Sequence, residues 1–194
     1  MPHSKFIQHI NQYVSLTETE PAFVLQYSKL LSLKKKEHLL KEGQVCKNIY
    51  FVEKGCLRLY FINNKGIEQT TQFAIENWWM ADYMSYTSQH PSSFYIQAVE
   101  NSVICSVEYA DQEALIKAVP AMERYFRLML QKAFAASQLR IKYLYELSRE
   151  EGYHHFINAY PDFVQRIPQY MLASYLGFTP EYLSEIRNKK RKIS

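Results

Sequence analysis

Cysteine is scarce in this chain and never closely paired. Three occur in 194 residues, at Cys46, Cys56 and Cys105. An odd number without any CxxC spacing argues against a disulfide framework and against a zinc or iron–sulfur centre built from neighbouring ligands, and it fits a reducing compartment. No hydrophobic run approaches the ~20 residues of a membrane-spanning helix. The opening MPHSKFIQHINQY lacks the apolar core of a secretion signal. The composition therefore predicts a cytoplasmic protein with no membrane partner. Glycine is also sparse, with five copies that fall at boundaries: Gly43, Gly55, Gly66 and Gly177, with Gly152 read as a break between two helices. An excess of either charge is missing from most of the chain, since residues 1–165 carry 17 Lys or Arg and 17 Asp or Glu. The formal +4 lies in residues 166–194, where Arg166, Arg187, Lys189, Lys190, Arg191 and Lys192 face only Glu181 and Glu185.

What is present divides by periodicity. Residues 4–14 and 18–31 read as helices, the second announced by a Thr17/Glu20 capping-box pattern. Residues 37–109 change character. Asn48–Lys54, Leu57–Ile62, Ile67–Ala74, Phe94–Val99 and Val103–Val107 are short runs rich in β-branched and aromatic residues, and Asn63-Asn64-Lys65-Gly66 is the clearest hairpin turn. Helical spacing returns at Glu108. After Pro120 a stretch to about Leu147 contains neither Gly nor Pro, long enough for a helix of roughly 40 Å. Met122, Phe126, Met129, Ala133, Ala136 and Tyr143 form a stripe on it, interrupted by Arg140. A face this long predicts packing on the β unit and on a second copy of the chain.

The last segment reads IPQYMLASYLGFTPEYLSEIRNKKRKIS. Met171, Leu172 and Leu176 mark one short amphipathic helix, and Tyr182, Leu183 and Ile186 mark another. Between them Gly177 can end a helix in the left-handed conformation, Thr179 can cap the next, and Pro180 falls at its first position. Helix, glycine turn and capped helix form a helix-turn-helix pattern, whose second helix enters the DNA major groove. The charge confined to this end is the footprint expected of phosphate contacts.

Three passages resemble the Crp/Fnr family of bacterial transcription regulators, and together the likeness spans nearly the whole chain. Glu42-Gly43, followed by Ile49 to Arg58, is similar to the paired glycine turns and central strand of the family's β-roll. Tyr160 to Gly177 is similar to the approach to its DNA-binding helices, and Thr179 to Arg187 to its recognition helix. The resemblance implies an α+β fold: an N-terminal double-stranded β-roll of the cyclic-nucleotide-binding type with flanking helices, a long dimerisation helix, and a C-terminal helix-turn-helix. The corresponding divisions are 1–117, 118–148 and 149–194, with a hinge near Ser148–Tyr153. The chain stops soon after the recognition helix, so the usual β-hairpin wing is expected to be missing or vestigial.

The resemblance also assigns roles. DNA contacts fall to Gln169, Tyr170, Thr179, Pro180, Glu181, Tyr182, Ser184, Glu185, Arg187, Lys189, Lys190 and Arg191. Related sequences often carry arginine where Glu185 stands, and a carboxylate there can accept from cytosine N4. Dimerisation falls to Met122, Phe126, Met129, Ala133, Ala136, Arg140 and Tyr143. The region matching the family's effector pocket holds Trp79, Ala81, Asp82, Tyr83, Ser92, Ser93 and Tyr95. Cyclic-AMP binders hold the phosphate with a Gly-Glu turn and an Arg-Ser pair. Here Ala81-Asp82 and Ser92-Ser93 stand in those places, and serine cannot supply the charge-assisted partner that an anion requires. Cyclic AMP is therefore not the expected effector, and these aromatic rings either line a different pocket or belong to the core. An iron–sulfur sensor would need clustered cysteines near its N-terminus, and none precedes Cys46. A haem sensor would need axial ligands, for which only Cys56 and the pair His154-His155 stand out. No cofactor is expected.

The leading reading is a sequence-specific, homodimeric regulator of transcription acting on double-stranded DNA, with RNA polymerase a candidate partner and its small-molecule effector unassigned. The alternative is a ligand-binding signalling module that does not bind DNA. An enzyme built on Asp82, His90 and Ser92 lacks any sign of an oriented base or oxyanion hole.

Overall fold

The computed structural model describes residues 4–191, with side chains to residue 188. Helices α1 (Ser4–Asn11) and α2 (Glu20–Gln26) precede strands β1 (Lys29–Leu33), β2 (His38–Leu40), β3 (Asn48–Lys54), β4 (Leu57–Ile62), β5 (Glu68–Ala74) and β6 (Trp79–Met80). Helix α3 (Tyr83–Ser88), strands β7 (Tyr95–Ala98) and β8 (Ser102–Glu108), and helix α4 (Tyr109–Ala118) follow. The remainder is helical: α5 (Ala121–Glu146), α6 (Arg149–Ala159), α7 (Pro161–Arg166), α8 (Gln169–Leu176) and α9 (Pro180–Arg191). The strands form two four-stranded sheets, ordered β1-β8-β3-β6 and β2-β7-β4-β5, a β-roll. The chain divides into one compact unit of residues 1–61 and 71–132 and another of residues 62–70 and 133–194.

Strands β3 and β8 carry near-continuous buried runs because both of their faces are covered. They pair antiparallel with Ile49 opposite Val107 and Phe51 opposite Cys105. Gly55 turns the chain between β3 and β4 at φ +102°, and a Cβ there would overlap the side chain of Ser102, so only glycine fits. An aromatic cluster fills the core of this unit. The Phe6 ring lies 5.0 Å from Phe51 and 5.5 Å from Trp79. The indole N–H of Trp79 donates to the Tyr125 hydroxyl at 3.0 Å, and that hydroxyl lies 2.8 Å from Nδ1 of His9. The Tyr125 hydroxyl thus bridges Trp79 and His9.

Two sequence expectations need correction. Residues 18–31 are not one helix: α2 stops at Gln26, and Lys29–Leu33 pairs with β8 instead. The apolar spacing suits either element, and the hydrogen bonds offered by the edge of β8 decide for the strand. Glu20 does accept from the Thr17 N–H at 2.7 Å, but the residue before the helix is Thr19, whose side chain makes no capping bond. Gly152 does not mark a break either, because it lies inside α6. The break falls at Ser148, whose hydroxyl accepts from the Glu151 N–H while Glu151 accepts from the Ser148 N–H, a complete capping box.

In the other unit, Tyr153, Phe163, Ile167, Met171, Leu172, Leu183 and Ile186 are buried together with Ala173. The hairpin turn at Asn63–Gly66 is closed by Asn63, whose Oδ1 accepts from the N–H groups of Lys65 and Ile67. From Leu130 to Leu139 every residue of α5 is exposed.

Candidate nucleic-acid interface and effector site

The turn between α8 and α9 is built as the sequence predicts. Gly177 closes α8 at φ +75°, and the Phe178 N–H donates back to the Ala173 carbonyl at 2.8 Å. Thr179 Oγ1 accepts from the Tyr182 N–H at 3.3 Å, capping α9, and Pro180 opens the helix. Met171 and Leu172 on α8, with Leu183 and Ile186 on α9, bury the facing sides of the two helices. Leu176 and Tyr182 are half-buried at the margin.

This packing leaves Thr179, Pro180, Glu181, Ser184, Glu185 and Arg187 exposed on α9, together with Asn188, which the sequence reading passed over. The spacing of the polar residues 181, 184, 185 and 188 along one helix face was the available signal; their exposure is decided by the packing. The side chains of Lys189, Lys190 and Arg191 lie outside the described residues, as does Lys192. Tyr170 is about half exposed at the start of α8, and beside it Gln169 has its Oε1 covered without a hydrogen-bond partner. Among the described residues no strand follows α9.

Helix α8 is held from two directions within its unit. The Ser174 hydroxyl donates to the Glu68 carbonyl and accepts from the Thr70 N–H, both at 2.8 Å, while Gln69 Nε2 donates to the Ser174 carbonyl. Ser174 thus satisfies two backbone groups that the edge strand β5 offers to a neighbouring strand. From α5, Arg140 donates to the Tyr175 carbonyl at 3.0 Å and stacks 4.0 Å from its ring centroid.

The other residues read for dimerisation are dispersed. Met122 and Phe126 are buried in the core of their own unit, and Met129 packs against it. Ala133 and Ala136 are exposed, and Tyr143 lies 4.4 Å from the His155 ring. The large exposed side chains of α5 are Leu130, Phe134, Leu139, Ile141, Leu144 and Tyr145.

In the β-roll the candidate effector residues do not converge on one open site. Asp82 is buried and caps α3: its Oδ1 accepts from the N–H groups of Met84 and Ser85, and its Oδ2 accepts from the Ser92 hydroxyl at 2.6 Å. A carboxylate therefore takes the donors that an anionic ligand would need, and its charge would repel a phosphate. The Ser92 hydroxyl bonds directly to Asp82, with no histidine between them. Trp79 belongs to the aromatic core, Ala81 is buried, and Tyr83 and Ser93 are exposed. Tyr95 stacks on Tyr60 at 4.9 Å and donates to Glu42. All three cysteines are buried as free thiols, and burial raises the pKa of Cys46 and pushes that of Cys105 up to about 12. Among the described residues no three His, Cys, Asp or Glu side chains gather to hold a metal.

Residues 30–118 match the cyclic nucleotide-binding domain family. The chain is 25% identical over 171 residues to the fumarate and nitrate reduction regulatory protein of Vibrio cholerae, covering 82% of this chain and 68% of that protein. It carries a cyclic nucleotide-binding domain and is similar to transcription regulators of the Crp/Fnr type. Solved structures agree on the fold of the regulator. FixK2 from Bradyrhizobium japonicum superposes with a TM-score of 0.72 at 16% identity over 85% of each chain. The c-di-GMP responsive global regulator CLP of Xanthomonas campestris superposes with a TM-score of 0.75 at 11% identity, over 91% of this chain and 92% of that one. The regulator spans about two thirds of the length of the curated relatives it matches. Crp/Fnr regulators bind DNA and act as dimers. Among its described residues no helix is long and apolar enough to cross a membrane.

Proposed function

We propose that the regulator binds operator DNA as a homodimer in the cytoplasm, each copy laying α9 in the major groove of one half-site. The exposed face of α9, backed by Leu183 and Ile186 against α8, carries this reading. Thr179, Pro180, Glu181, Tyr182, Ser184, Glu185 and Arg187 contact the groove and its rim, and Gln169 and Tyr170 contact phosphates from the start of α8. Lys189, Lys190 and Arg191 supply further phosphate contacts. Bound at a promoter, the dimer acts on RNA polymerase.

Leu130, Phe134, Ser137, Ile141 and Leu144 of α5 form the dimer seam, since they recur at alternating four- and three-residue steps and all are exposed. That spacing is the signature of helices packed side by side, and an apolar ridge of this length is unstable in water. The carboxylate of Asp82 supports a β-roll that does not bind cyclic AMP. An effector of the roll, where there is one, is a small molecule without a phosphate at that position.

A mobility-shift assay on the regulator's own upstream region, repeated over a salt series, tests the reading. Affinity should fall steeply with salt, and charge reversal of Lys189, Lys190 and Arg191 should weaken binding to every sequence and flatten the slope. Absence of any shift above background, with the chain folded, would sink it.

A further inference from the structure

Leu183 and Ile186 are buried on one side of α9, while Glu181, Ser184, Glu185 and Asn188 are all exposed. At 3.6 residues per turn, those four form a single stripe centred opposite the buried pair. Pro180 and Arg187 flank it on one side and Tyr182 on the other. The stripe is therefore the part of the helix that a major groove would meet squarely, and among the described side chains no cation lies on it.

Its hydrogen-bonding capacity is one-sided. Glu181 and Glu185 only accept. Ser184 donates its proton to the Pro180 carbonyl at 3.0 Å, leaving its oxygen as an acceptor. Asn188 alone can donate and accept. In the major groove guanine offers N7 and O6 and thymine offers O4, all acceptors, so a carboxylate against either sets lone pairs against lone pairs. Cytosine N4 and adenine N6 donate. Adenine also places N7 beside its amine, which repels a second carboxylate oxygen but suits an amide, whose oxygen and NH₂ pair with N6 and N7 together.

Resting on the DNA-binding reading above, we propose that Asn188 is a base-reading residue, and that this stripe selects half-sites carrying exocyclic amines: cytosines against Glu181 and Glu185, and an adenine against Asn188. From residue 181 to residue 188 the helix advances roughly 10 Å, or about three base-pair steps of ~3.4 Å. The adenine therefore lies at the opposite end of the contacted triplet or quartet from the cytosine met by Glu181.

The test is selection of bound duplexes from a randomised library by the full chain and by Asn188→Ala, Asn188→Asp and Glu185→Arg, each checked for unchanged melting. The wild-type chain should enrich half-sites with cytosine and adenine at the contacted positions. Asn188→Ala should lose preference at one end position alone, with affinity for the adenine-bearing site down about tenfold or more. Asn188→Asp should move that position from adenine to cytosine, and Glu185→Arg should move its own from cytosine to guanine. An A·T pair enriched where Glu185 reads, a C·G pair enriched where Asn188 reads, or a preference that Asn188→Ala leaves intact, overturns the inference while DNA binding stands. Enrichment of no sequence by the wild-type chain overturns both.

Discussion

His9 Nδ1 is hydrogen-bonded to the Tyr125 hydroxyl at 2.8 Å while buried, and burial together with the nearby Lys132 charge lowers its pKa from 6.5 to about 4. Between those values the unfolded chain holds the His9 proton and the folded chain does not. Stability therefore falls as the pH drops from 6.5 to 4, by about 3 kcal/mol in all, with no further contribution below. Urea unfolding across this range should show the decline, and His9→Gln should remove its part of the slope. Asp82 is the other decisive single residue. Replacing it with alanine strips the cap from α3 and leaves the Ser92 hydroxyl without its carboxylate, at a cost of about 2–3 kcal/mol. Asp82→Asn, which keeps an accepting oxygen, should lose less in the same unfolding measurement. Neither role could be read along the chain, because His9 and Tyr125 are 116 positions apart and the buried state of Asp82 depends on how the loop bearing Ser92 returns to α3. Gly177 and Thr179 were legible for the opposite reason, since a left-handed residue and an N-cap are local needs written in local residues.

Helix α5 shows what periodicity can and cannot say. Its bounds, Ala121–Glu146, are close to those expected from the stretch without Gly or Pro after Pro120. Which stripe meets what was not legible, because α5 carries apolar residues on more than one side. Met122 and Phe126 went to the core, Arg140 to Tyr175, and Leu130, Phe134, Ile141 and Leu144 stayed in solvent. Phe134→Lys combined with Ile141→Lys should convert a dimer to a monomer in sedimentation velocity, with helix content retained. Operator affinity should drop by orders of magnitude, because each half-site then binds alone. Strands β3 and β4 had the expected limits since their apolar runs are bounded by turns. β1, β2 and the two-residue β6 were missed, being short segments that pairing partners turn into strands.

At the scale of the molecule, the β-roll fold is present, and Asp82 holds its own donors where the resemblance expects a phosphate-binding turn. Adding cyclic AMP at millimolar concentration should leave both the melting temperature and operator affinity unchanged; a dose-dependent rise in either would contradict the role given to Asp82. The order of helices, β-roll, long helix and helix-turn-helix was written in the sequence, because hydrophobic period, turn residues and caps act over a few positions. So was the concentration of positive charge at one end. The resemblance also put Ser92 where a phosphate-binding arginine is expected. Tertiary structure alone decided that Asp82 fills the need itself, that Trp79 is a core ring hydrogen-bonded to Tyr125, and that Asn188 shares an exposed stripe with Glu181 and Glu185. Each of these depends on which side chains burial removes from water, and burial is a property of elements brought together from distant parts of the chain.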